Sequence, residues 1–192
     1  MAKIRKVNAV LGLLSAATLL VHVAYTVYAY LAFYFNPVLK LWTAIPFMVV
    51  TCLHSICGMT AVFMQTDGTS LHMYPGHNLG TVLQRLSATL ILPLLILHIN
   101  TYELLRVSAD SGRWFFFALL MAGQPLFYAT VLTHITTSLS KALITLGWLS
   151  SRKTQRKLDW VLYMLGAVVF VVATIVVLRT ELVIFLWKGG GA

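Results

Sequence analysis

Five apolar runs, each long enough to cross a bilayer, constrain this chain more than any other feature of it; they lie near residues 8–35, 41–64, 82–105, 114–146 and 160–187. About 20 helical residues suffice to cross roughly 30 Å of hydrocarbon. The chain has 192 residues, of which 59% are hydrophobic and only 10% charged, and its mean hydropathy is +0.86. That is far more apolar than a soluble domain. The connections are too short for a separate soluble domain. The expected fold is therefore an all-α integral membrane protein, one domain of residues 1–192 with five transmembrane helices.

The first run is expected to stay in the mature protein. It is too long for a signal peptide, it carries Tyr25, Tyr28, Tyr30, Phe33, Tyr34 and Phe35, and no small-residue cleavage site follows a short apolar core. Cys52 and Cys57 lie five residues apart on one apolar run, hence on different helix faces, which suggests neither a disulfide nor a metal site. The net charge of +9 does not point to nucleic acid, because the cations cluster at the ends of the runs. Lys3, Arg5 and Lys6 fall on the same side as Arg152, Lys153, Arg156 and Lys157 once five crossings are counted. Such clusters mark the cytoplasmic side of an inner membrane and set the N-terminus there. The connection at residues 65–81 is rich in Gly, Ser, Thr and Asn and reads as a folded-over interfacial loop. Pro46, Pro93 and Pro125 lie inside runs, where neighbouring groups satisfy the freed carbonyls.

Runs one to four each carry one histidine deep in apolar sequence, His22, His54, His98 and His134, and the fifth carries none. Ionisable side chains at such depth are costly and mark functional sites. The plain alternative, a hydrogen bond to a neighbouring helix, accounts for one such residue far more readily than for four on four helices. Counting helical rise from the ends of the runs puts His22 and His98 roughly 20–24 Å from the cytoplasmic side and His54 and His134 roughly 15–19 Å. Two pairs at two levels result, each joining diagonal helices of a four-helix bundle with room between them for a flat macrocycle. Two imidazoles on one iron give a bis-histidine haem suited to electron transfer, since no coordination position stays open. The level separation of about 6 Å is smaller than two stacked haems want.

Other residues join these pairs by spacing. Gly58 and Ser138 stand one turn beyond His54 and His134 and leave room for a ring. Lys141 lies two turns beyond His134 on the same face, at the reach of a haem propionate, with snorkelling to head groups as its alternative. Arg85, between Gln84 and Ser87 at the start of the third run, has the chemistry to pair with a propionate, a quinone carbonyl or a lipid phosphate. His72 and His77 sit in the polar loop and are set aside.

These residues resemble a known family, the single-chain di-haem cytochrome b subunit of Bacillus-type succinate:menaquinone reductases. The stretch Val82, Leu83, Gln84, Arg85, Leu86, Ser87 with His98 beyond it is similar to that family's Leu-Gln-Arg-x-(Ser/Thr) segment and the histidine after it. His54 with Gly58, His134 followed by Gly147 and by Gln155 and Arg156, and Leu11 and Gly12 ahead of His22 resemble its other landmarks. Ala88 and Ser138 depart from it, Ala88 where the family often has glycine, but both are small.

The resemblance implies a membrane anchor of a succinate dehydrogenase or fumarate reductase. Two haem b groups would be held within the first four helices, the proximal one by His54 and His134 and the distal one by His22 and His98. The partners implied are an iron–sulfur subunit and a flavoprotein, which carry the iron–sulfur clusters and FAD, and menaquinone or another quinone. Residues 65–81 and 150–157 would form the docking face. Glu103, beside Tyr102 and five residues past His98, is the acidic candidate for serving a quinone near the outer face, with an ordinary interfacial carboxylate as its alternative. Two other readings start from the same histidines: a di-haem cytochrome b of another membrane dehydrogenase, and a haem-free membrane protein whose histidines relay protons. The spacing from Gln84 and Arg85 to His98 argues against the first, and an absorption spectrum separates the second.

Overall fold

A computed structural model describes residues 2–63 and 75–187. Five helices follow one another: α1 (Ala2–Leu31), α2 (Pro37–Phe63), α3 (Pro75–Asp110), α4 (Trp114–Leu146) and α5 (Arg152–Leu182), the last running into a wider π-type turn, Val183–Trp187. No strand occurs among the described residues. All five helices are long and apolar enough to cross a membrane, and the chain is a multi-pass membrane protein in architecture. Each exceeds the ~30 Å of a hydrocarbon core, so helix ends tilt or emerge into the head-group layer.

Short polar signals set the turns. Between α1 and α2, Asn36 Oδ1 accepts hydrogen bonds from the backbone N–H groups of Val38 (3.0 Å) and Leu39 (3.1 Å), capping donors that a helix start leaves orphaned. Pro37, which has no N–H to orphan, occupies the first helical position. The Tyr25 hydroxyl donates to the Asn36 carbonyl at 2.9 Å and fixes this turn against α1. Gly112, at φ +66°, makes the tight turn from α3 to α4. Gly147, at φ +81°, ends α4, and the N–H groups of Gly147 and Trp148 return to the carbonyls of Ile144 and Leu143. Ser151 caps α5.

Packing joins α1 to α2 and α3 to α4 as two antiparallel hairpins, and α1 and α4 bring the hairpins together. Helix α5 lies against α4 and α1, whereas among the described residues α2 and α3 share no extensive contact. Small residues allow close approach, as lipid-embedded helices require. A Cβ at Gly166 would stand 3.0 Å from Thr136 Cγ2, and one at Gly123 would stand 3.3 Å from Leu97 Cδ2. The interior is unusually polar, holding Thr51, Ser87, Thr101, Gln124, Thr130, Thr136, Ser140, Thr180 and Glu181, while large apolar side chains such as Trp42, Phe115 and Trp160 cover the outside. This inversion suits a solvent of lipid tails, which makes outward apolar groups costless and inward polar groups useful.

The helices extend beyond the apolar runs that announced them. Helix α3 reaches back to Pro75 and on to Asp110, and α5 begins at Arg152, because residues such as Arg106 and Lys153 are good helix formers that a hydropathy window does not count. Of the connection read as an interfacial loop, residues 75–81 are helical. Residues 65–74, with His72, lie outside the described residues, as do the side chain of His77 and the glycine tail at 189–192.

Candidate functional site

All four membrane histidines point between helices, and each ring is fixed through the same atom. His54 Nδ1 donates to the backbone carbonyl of Asn8 on α1 at 3.1 Å. His134 Nδ1 donates to the carbonyl of Gln84 on α3 at 3.1 Å, with Ser87 Oγ 3.4 Å away. His98 Nδ1 meets Gln124 Oε1 on α4 at 2.7 Å, and His22 Nδ1 lies 3.4 Å from Thr43 Oγ1 on α2. The interhelical hydrogen bond, the plain role of a membrane histidine, is thus present at every one. At His54, His134 and His98 the partner is a carbonyl oxygen, which fixes the tautomer: with the proton held on Nδ1, the lone pair is on Nε2, the arrangement that metal-ligating histidines adopt.

The structure brings the His54 and His134 rings together edge-on, centroids 6.1 Å apart and planes at 63°. Two imidazoles on opposite sides of one metal, each nitrogen at about 2 Å, put their centroids about 6 Å apart. Helix α1 leaves room for this pair, since a Cβ at Gly12 would stand only 3.0 Å from His54 Cε1. Gly58, one turn from His54, faces Asn8, where an added Cβ would lie 3.5 Å from Oδ1. Ser138 folds its hydroxyl back onto the His134 carbonyl at 2.5 Å. His22 and His98 lie within electrostatic reach of each other. Phe47 stacks on His22, with centroids 6.1 Å apart, and Phe127 on His98 at 4.7 Å. Among the described residues no group of three or more His, Cys, Asp or Glu could hold a metal ion. A porphyrin brings four nitrogens of its own and needs only a pair of axial imidazoles, so the donor set and the spacing at His54 and His134 fit that group.

The levels are farther apart than helical rise from the apolar runs implied. His54 lies against Asn8 and Gly12 of α1, ~15–21 Å along that helix from His22 rather than ~6 Å. The ends of the apolar runs do not stand at one level, and counting from them compresses the two histidine levels.

Lys141 is drawn into the site. Its Nζ donates to Gln84 Oε1 at 2.8 Å and approaches the Gly80 carbonyl at 3.3 Å, beside the backbone carbonyl that holds His134. Ser87 is buried, its hydroxyl donating to the Leu83 carbonyl at 2.7 Å. Arg85 is half-buried at the same end, near enough to Lys141 for the two charges to interact. Glu103 is not brought to the histidines. It is exposed and paired with Arg106, which also reaches Asp110 at 3.4 Å. Five residues of helix rotate a side chain well away from the face that carries His98. Tyr102 packs on Phe185, ring centroids 5.2 Å apart.

Two interior residues escaped the sequence reading. Gln124 is almost fully buried and bridges His98 to Thr101, its Nε2 donating to Thr101 Oγ1 at 2.6 Å. Glu181 on α5 is 3% exposed, with Oε2 lacking any partner. A polar residue amid apolar sequence was the available signal for both. At the opposite end, Arg152, Lys153, Arg156 and Lys157 line a surface recess with Trp160 and Val161. No family model, curated protein or solved structure matches the chain.

Proposed function

We propose that this chain is a di-haem cytochrome b, the membrane anchor and electron-transfer subunit of a succinate:quinone or quinol:fumarate oxidoreductase. The observation that carries the haem reading is the approach of the His54 and His134 rings to 6.1 Å across the bundle, with Nδ1 of His54, His98 and His134 held by carbonyl oxygens. His54 and His134 would hold the haem nearer the N-terminal face, and His22 and His98 the one nearer the opposite face. Held by two imidazoles, each haem would supply a one-electron couple closed to oxygen.

The chain's own residues do the rest. Asn8, Gln84, Gln124 and Thr43 orient the four rings and raise their basicity through Nδ1. Lys141 and Arg85 supply positive charge beside the pair at the N-terminal face, where haem propionates or a quinone carbonyl would be received. That face, cytoplasmic in this reading, offers the basic recess of α5 as part of the docking surface for an iron–sulfur subunit. The choice of succinate or fumarate complex rests on the sequence resemblance at Gln84, Arg85, Ser87 and His98.

Purified protein tests the proposal. A reduced-minus-oxidised spectrum should show a b-type α-band, a haem assay should give two haems per chain, and H54A and H98A should each lower the count. Absence of the band, or alanine variants with unchanged pigment, overturns the cytochrome reading. Co-purification with a hydrogenase or nitrate reductase in place of flavin and iron–sulfur partners would reassign the complex.

A further inference from the structure

One face of α5 is left uncovered by the bundle, and its chemistry changes along its length. The helix packs on α4 and α1 and buries Val176, Val177 and Thr180. Away from that side, Arg152, Lys153, Arg156 and Lys157 line a recess of about 690 Å³ with Trp160 and Val161. Steps of four residues from Arg152 and from Lys153 generate this set, so it forms one stripe of the helix. All four cations are exposed, and none forms an ion pair among the described residues. Asp159, the acid of this segment, is half-buried and lies within electrostatic reach of Lys141 on α4, toward the bundle.

Local physics disfavours this arrangement in the absence of an anion. Arg152 with Arg156 and Lys153 with Lys157 are like charges one turn apart, which destabilises a helix. They also occupy the N-terminal end of α5, where the macrodipole is itself positive. The bias of cations toward one side of a membrane asks for their number only; it does not ask for like charges stacked on one stripe around a recess.

The same stripe continues into hydrocarbon. Trp160, Met164, Val168, Val171 and Ile175 are 50–70% exposed. From Trp160 to Ile175 is ~22 Å of helix, more than half of a ~30 Å core and enough for the chains of one leaflet. An indole between cations and an apolar track is placed at head-group level. A water-soluble subunit has the chemistry to cover the cations but not the track that continues from them. A phospholipid matches both ends at once.

We propose that this face of α5 holds one anionic phospholipid as a bound partner. Its phosphate lies in the recess against Arg152, Lys153, Arg156 and Lys157, its glycerol region beside Trp160, and its acyl chains along Met164 to Ile175. The arginines present paired N–H groups to phosphate oxygens and the lysines act as point charges. Each cation near an anionic head group favours it roughly fivefold, so four together favour it by well over tenfold against a zwitterionic lipid. The site is independent of the haem reading, and the docking surface proposed above meets the lipid head group here.

Full-length protein in vesicles of mixed phosphatidylcholine and phosphatidylglycerol, with bromine on the chains of one lipid or the other, tests the proposal. Bromine quenches a tryptophan that it touches, and the Trp160 signal is the difference between wild type and W160F. Brominated phosphatidylglycerol should quench Trp160 at a mole fraction roughly tenfold or more below that needed for brominated phosphatidylcholine. The preference should persist in R152K/R156K, which keeps the charge, and vanish in R152Q/K153Q/R156Q/K157Q. K153Q/K157Q, a milder change for insertion and folding, should cut it severalfold. Equal quenching by the two lipids in wild type, or an unchanged preference in K153Q/K157Q, overturns the proposal. So does loss of the preference on adding inorganic phosphate at constant ionic strength, which assigns the recess to free phosphate. Quenching by neither lipid in the co-purified complex assigns the recess to a protein partner and overturns it as well.

Discussion

Gly12 offers the sharpest test of the His54 and His134 site, because it touches one ligand without being one. A Cβ added there would stand 3.0 Å from His54 Cε1 and 3.4 Å from Nδ1, so the ring must retreat by a few tenths of an ångström even for alanine. The ring is held by a 3.1 Å bond from Nδ1 to the Asn8 carbonyl, on the same helix as the intruding methyl. Retreat stretches that bond toward loss, and a neutral hydrogen bond contributes about 1 kcal/mol. Losing the partner that orients a ligating histidine typically lowers metal affinity 10–100-fold. Gly12→Ala should therefore weaken binding at this pair by roughly tenfold or more, and Gly12→Val, whose branched side chain cannot avoid the ring, should abolish it. The assay is haem per polypeptide, with the expectation of two for the wild type and one for Gly12→Val. Gly80→Ala is the control, since a Cβ there meets nothing within 4 Å. Two haems in a folded Gly12→Val variant would refute the placement of His54 as a ligand.

Other perturbations read different parts of the bundle. Gln124→Leu removes the acceptor at 2.7 Å from His98 Nδ1, and should lower affinity for the second haem 10–100-fold, seen as selective loss of one spectral component. Lys141→Met removes a cation ~10 Å of helix from His134 and should lower the midpoint potential of the haem nearer the N-terminal face by roughly 60 mV, measured by potentiometric titration. Glu103→Gln should leave quinone turnover unchanged, because the carboxylate is exposed and engaged with Arg106. Protein produced without a haem supply should melt at a lower temperature and recover on adding haem, the stabilisation following the logarithm of ligand over dissociation constant.

Hydropathy announces every helix here, since lipid imposes length and composition directly on the sequence. Depth was less legible: the ends of the apolar runs do not stand at one level, and counting from them compressed the two histidine levels into a few ångströms. The rings of His54 and His134 stand 6.1 Å apart, on helices whose parallel direction and diagonal position do not depend on exact ends. Glu103 drew attention as the acid nearest His98 along the chain, but helix rotation separates neighbours in sequence. Glu181 lies 83 residues from His98 in sequence and gave only the signal of an acid in an apolar run. Its burial depends on α5 packing against α1 and α4, which no periodicity on α5 alone specifies.

The hydrogen bonds that orient the four rings all stay within a hairpin. His54 on α2 is held by α1, His22 on α1 by α2, His134 on α4 by α3, and His98 on α3 by α4. The proposed metal links run the other way, joining α2 to α4 and α1 to α3. Without them the hairpins meet along α1 and α4 and through α5, and among the described residues α2 and α3 share no extensive contact. Protein hydrogen bonds therefore set the direction of each imidazole before any haem arrives, and haem would supply the cross-links that the helices alone lack. On the haem proposal this division would give part of the polar interior a use: Gln124 and Ser87 lie within one hairpin and do little to hold it to the other, but both stand against Nδ1 of a histidine, Gln124 at His98 and Ser87 at His134.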